Sequence, residues 1–163
     1  MASPSLLPTR PRAGEQAASD ERLLALSDRA DITGLIDRFA LGLDHVDPEW
    51  CDEEWYRSLF TQDVRLDLPN GTHHGIAGLP EFLRGPKLQW ARTQHLTTNC
   101  VVDVQGDRAT ARANVQAVHV PHEDSAPLFV GGAHYDVRAE RTAAGWRIPQ
   151  LTVTVLWTAE GRR

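Results

Sequence analysis

Residues 108–121 read RATARANVQAVHVP, and their alternation decides the fold class. Successive side chains of a strand point to opposite sides. Ala109, Ala111, Ala113, Val115 and Ala117 therefore share one face, and Thr110, Arg112, Asn114 and Gln116 share the other. The small, apolar face is the one to bury. His119 continues it, so its imidazole points toward the core, where the alanines leave room.

The same periodicity extends to both sides. Residues 94–105 form a strand ending at the Gly106-Asp107 hairpin signal, and 129–141 and 146–158 form two more, joined by a turn at Ala143-Ala144-Gly145. Tyr135 falls with Val137 and Ala139 on an inward face, whereas His134, Asp136, Arg138 and Glu140 face out. Leu151, Val153, Val155 and Trp157 make one apolar face of the last strand. On the strand before residue 108, Leu96, Cys100, Val102 and Val104 share a face, and His95, Thr97 and Asn99 share the opposite one. By parity alone, His95 is expected to point outward.

Upstream the texture is helical. Ile32, Leu35, Ile36, Phe39, Ala40 and Leu43 recur at amphipathic spacing. Ser27 or Asp28 is the expected cap, with a short helix around Leu23, Leu24 and Leu26 before it. Asp44 follows Ile36 and Ala40 in an i, i+4 row, so a carboxylate ends the apolar stripe. Burying a lone carboxylate is costly, and a histidine is its natural partner. Asp47-Pro48 reads as the start of a second helix running to Phe60. A short strand over 64–68, a turn at Asn70-Gly71 and a helix over 79–83 follow. Helices first and a meander of long strands afterwards predict an α+β domain with helices on one sheet face.

The chain has 163 residues, 41% of them hydrophobic, which suits one domain. Residues 1–19 carry three prolines and few large apolar side chains, so a disordered tail is expected there and one domain over 20–163. No apolar run approaches the roughly 18 residues of a membrane span, and none near the N-terminus suits a secretory signal. A cytoplasmic protein without a membrane partner is the expectation. Net charge is −5 and the seventeen basic residues are scattered, which argues against a nucleic-acid partner. Cys51 and Cys100 read as small buried hydrophobes with no metal spacing. His73 and His74 are adjacent, and His119 and His122 have helical rather than strand spacing, so no metal site is expected. Nucleotide-binding glycine loops and a nucleophile elbow are missing, so no nucleotide cofactor is expected either.

Several phrases in this order resemble a known family: Leu43-Asp44, residues 59–64 (LFTQDV), His74-Gly75, Gln94-His95-Leu96 with Asn99, Gly106-Asp107-Arg108-Ala109, the inward His119, Gly132 through Tyr135, and Gly145-Trp146-Arg147-Ile148. Over roughly residues 28–160 the chain is similar to the SnoaL-like branch of the NTF2-like superfamily. The resemblance implies a cone: a curved mixed β-sheet wrapped around N-terminal helices, an internal pocket, and a homodimer through the sheet. It also implies that His95 faces the pocket, against its parity.

Among the family's members the scytalone dehydratases offer the nearest chemistry. By that likeness Asp44, His95 and His119 are the catalytic candidates and Tyr56 a pocket tyrosine. Leu43 departs from the pattern, since a tyrosine precedes the aspartate in those enzymes. Trp55, Trp90 and Trp157 are the expected pocket walls, Tyr56 or Tyr135 the hydrogen-bond donor to a developing oxyanion, and Asn99 a further substrate contact. The implied activity is that of a cofactor-independent lyase, isomerase or cyclase. Histidine and aspartate would move protons on a small, largely apolar, oxygenated substrate of the natural-product kind. The alternatives are a ligand-binding domain without chemistry and a small subunit of a larger oxygenase.

Overall fold

The first helix, α1 (Ala13–Asp44), holds the sheet's concave face together. The computed structural model describes residues 13–45 and 50–161. Ile32, Leu35, Ile36, Phe39 and Ala40 are at most 2% exposed and form the buried stripe expected of the 3.6-residue period. The helix begins earlier than composition suggests. Residues 13–19 are helical rather than part of a tail, and no break separates a short helix from the main one. The cause is local: between residues 13 and 44 no proline interrupts, and Ala, Glu, Gln, Leu and Arg favour the helix. The remainder of the expected tail, residues 1–12, lies outside the described residues.

Asp28 is consequently not a cap. It sits inside the helix, 5% exposed, and accepts hydrogen bonds from Trp146 Nε1 at 3.0 Å and Arg141 Nη2 at 2.8 Å. Arg141 also stacks over the Trp146 ring at 4.5 Å. This knot pins α1 to the last hairpin. The expected start of the second helix at Asp47-Pro48 falls outside the described residues. Helix α2 (Glu53–Arg57) is capped instead by Asp52, whose side chain accepts from Trp55 N.

The strands are β1 (Phe60–Leu68), β2 (Gly71–His74), β3 (Arg92–Gln105), β4 (Arg108–Val120), β5 (Leu128–Thr142) and β6 (Gly145–Gly161), with α3 (Leu79–Lys87) between β2 and β3. They form one six-stranded sheet in the order β2-β1-β6-β5-β4-β3. Only the β1–β6 pair is parallel, so the sheet is mixed. It is curved and does not close. The alanine face of β4 lies inward as its alternation requires: Ala109, Ala111 and Ala113 are at most 6% exposed.

Two of the sheet's β-bulges decide the facing of site candidates. On β3, three residue steps from Thr98 to Val101 oppose two on β4, and Asn99 sits at φ 51° within the bulge. An extra residue reverses the parity of everything beyond it. Ahead of the bulge Thr93, His95 and Thr97 turn inward and Leu96 is 51% exposed; beyond it Val102 is buried. His95 therefore faces in, and the parity reading fails because Leu96 and Val102 belong to opposite faces. On β6, Trp157 and Val155 pair with the consecutive Gly132 and Ala133, which leaves Leu156 as the extra residue. Trp157 is thereby turned outward, 48% exposed, where its indole covers Gly132.

Candidate active site

Asp44 ends α1, where the helix runs out over the sheet. Its Oδ1 lies 2.6 Å from His95 Nδ1, and its Oδ2 accepts from the His95 backbone N–H at 2.8 Å. Thr93, two residues before His95 on the same face of β3, brings Oγ1 to 3.1 Å from Asp44 Oδ1 and 3.2 Å from the Leu43 carbonyl. A carboxylate only accepts, so the network assigns the proton to His95 Nδ1 and leaves Nε2 to act. Both side chains are largely sheltered, with 13% of His95 and 19% of Asp44 exposed. An ion contact in such a setting holds ring and tautomer in place.

His119 faces His95 across the neighbouring strand, with ring centroids 5.6 Å apart and the rings nearly perpendicular. Trp90 and Phe129 pack around it at 5.0 and 5.6 Å and stack on each other at 5.8 Å. Its Nδ1 is buried without a hydrogen-bond partner among the described residues. Burial, and next the neighbouring His95, pushes the imidazolium form of His119 below the ordinary histidine range; the Phe129 backbone and Asp44 oppose this. Tyr135 is 2% exposed, and burial lifts its phenol far above the usual tyrosine range, with the Asp44 charge adding to the effect. It therefore keeps its proton and can only share it.

These groups border one cavity of about 400 Å³. Its walls are mainly apolar, Leu43, Leu68, Leu83, Val115 and Val153 among them, with His95, His119, Tyr135 and Trp90 as polar or aromatic points. Such a space suits a small apolar ligand carrying few polar groups.

Of the expected site residues, His95, His119, Trp90 and Tyr135 line the cavity, and Asp44 stands behind His95. Four others do not line it. Tyr56 is 1% exposed and packs in the core against Phe60 and Trp55, because α2 turns its apolar side beneath β1. Trp55 packs the outer edge of its indole against Gly42 of α1, where any larger side chain would strike it. Asn99 sits in the β3 bulge and borders a shallow groove with Val101, Arg112 and Asp136. Trp157 is on the outer face. Sequence reasoning missed Thr93 and Phe129, although each shares parity with a residue already singled out, Thr93 with His95 and Phe129 with Tyr135. It also missed Lys87, which carries no local signal. Among the described residues no three histidine, cysteine or acidic side chains gather as a metal site, and no helix is long and apolar enough to cross a membrane.

No curated protein matches the sequence. The Kfla4162 protein from Kribbella flavida superposes with a TM-score of 0.72 at 27% identity, covering 83% of this chain and 95% of that one. A candidate scytalone dehydratase from Novosphingobium aromaticivorans DSM 12444 gives a TM-score of 0.70 at 20% identity, over 89% and 93% of the two chains. A hexachlorocyclohexane dehydrochlorinase of type 2 gives 0.71 at 22%, over 85% and 92%. The last two likenesses show the shared NTF2-like cone. The model of the SnoaL-like domain family matches residues 24–152, and the chain accordingly belongs to that family.

Proposed function

We propose that the cavity is the active site of a cofactor-independent lyase or isomerase that moves protons with His95, His119 and Asp44. The observation that carries this reading is the 2.6 Å contact of Asp44 with His95, facing His119, whose buried Nδ1 has no partner among the described residues, over an apolar cavity. His95 Nε2 takes a proton from a carbon beside a carbonyl, and the Asp44 carboxylate stabilises the resulting imidazolium. Tyr135 and neutral His119 donate hydrogen bonds to the oxygen where negative charge develops. His95 then returns its proton to a leaving hydroxyl, which gives dehydration, or to another carbon, which gives isomerisation. Either outcome conserves protons and needs no redox partner. The apolar walls and the stacked Trp90 and Phe129 favour a small, flat, oxygenated substrate. Ring closure in natural-product biosynthesis is compatible with the same groups.

The proposed assembly is a homodimer through the outer sheet face. Leu96 and Val101 on β3 and Leu156 and Trp157 on β6 stand there 48–72% exposed, large apolar side chains that a second copy would cover.

A panel of small cyclic β-hydroxy ketones, followed by ultraviolet absorbance, tests the chemistry. Asp44→Asn and His119→Ala are each expected to lower turnover on the order of a hundredfold while circular dichroism stays unchanged. Wild-type turnover in both variants removes the assignment.

A further inference from the structure

The last turn of α1 contains no basic residue, yet it holds Asp44 in a 2.6 Å contact with His95. The final four carbonyls of a helix have no partner inside it. Here a side chain from 45 positions further along supplies one. Lys87, at the end of α3 and the chain's only lysine, donates from Nζ to the Gly42 carbonyl at 2.6 Å and to the His45 carbonyl at 3.1 Å. Those two carbonyls flank Asp44 in the chain. Thr93 grips the same turn at the Leu43 carbonyl and at the carboxylate itself. The ammonium is half-buried, lies close enough to Asp44 to feel its charge, and is pushed toward its neutral form by burial. A cation placed there at that cost needs a compensating role.

The geometry points to Lys87 as a positioning residue that fixes the Asp44 turn and, through it, the ring and tautomer of His95. It acts through backbone carbonyls, so the reacting atoms need not touch it. Without its donors the His45 carbonyl loses this partner, the Gly42 carbonyl keeps only the weak Cys51 Sγ contact at 3.8 Å, the turn frays, and the short carboxylate–imidazole contact loosens. The stem of Lys87 also borders the cavity, so a direct ligand contact is the competing explanation.

The inference rests on the proposed proton transfer only for its consequence in turnover, and its own test needs no substrate. The readout is the downfield Nδ1 proton of His95 in the NMR spectrum at one fixed pH, assigned by its disappearance in Asp44→Asn. Lys87→Met is expected to reduce that signal at least severalfold, with the near-ultraviolet circular dichroism of the tryptophans intact. Lys87→Arg, which still offers donors to both carbonyls, restores it. Should Lys87→Met fail to fold, Lys87→Leu provides a second variant without donors. An undiminished signal in a folded Met or Leu variant overturns the inference and leaves ligand contact as the role of Lys87. A lost signal beside a protein without turnover on any substrate upholds the positioning role while refuting the catalytic reading.

Discussion

At the scale of single residues, His119 shows how an apolar wall sets chemistry. Its ring is wedged between Trp90 and Phe129 and faces another imidazole, so a second positive charge there is disfavoured. The consequence for stability has a definite sign. The folded state resists a proton that the unfolded chain accepts below about pH 6.5. The unfolded state then binds more protons, and stability falls as pH drops from about 6.5, by at most ~1.4 kcal/mol per pH unit for one site. Below the folded-state value the loss levels off. Urea unfolding at a series of pH values between 7.5 and 5 is expected to show a shallower slope for His119→Gln than for the wild type. Equal slopes would mean that the ring is not desolvated. Asp44, by contrast, is well partnered: Thr93 Oγ1, His95 Nδ1 and the His95 amide all engage its carboxylate.

At the scale of elements, the bulge in β3 decides whether the site exists. It allows one strand to put His95 into the cavity and, a few residues later, Val102 into the core. Its hinge is Asn99, whose left-handed φ of 51° suits asparagine or glycine and penalises a β-branched side chain. Asn99→Val is expected to cost about 1–2 kcal/mol in urea denaturation. Asn99→Gly should stay within a few tenths of the wild type, since glycine visits that region without penalty. A Val variant as stable as the wild type would show that the strand does not need this conformation. Strand β6 repeats the device at Leu156, and both mistaken orientations, His95 and Trp157, follow from these two insertions.

At the scale of the whole molecule, the mixed sheet has two sides with different fates. The concave side is filled by α1, the cavity and the core. The convex side carries Leu96 and Val101 at 51% and 72% exposure near the β3 edge. If this side forms the proposed homodimer, light scattering after size exclusion gives twice the mass of one chain. Leu96→Glu combined with Val101→Glu should then shift it to the single-chain mass. A wild type that elutes as a single chain at micromolar concentration would rule that assembly out. The knot of Asp28, Arg141 and Trp146 lies at the middle of α1, well before Asp44, so one helix is anchored midway and chemically equipped at its C-terminal end.

Sequence periodicity by itself determined the α+β class, the buried stripe of α1, the inward face of β4 with His119, and the inward Tyr135. Those follow from local repeats of 3.6 and 2 residues, which any window of the chain displays. The position of Asp44 at the end of the stripe was legible for the same reason. Tertiary structure alone decided that His95 meets Asp44, that Trp157, Tyr56, Trp55 and Asn99 stand away from the cavity, and that Lys87 reaches back to α1. The physical reason is that an inserted residue in a strand reverses parity without altering composition. A contact across 45 or 51 positions, likewise, is made by the packing of elements and leaves no trace in either neighbourhood of the chain.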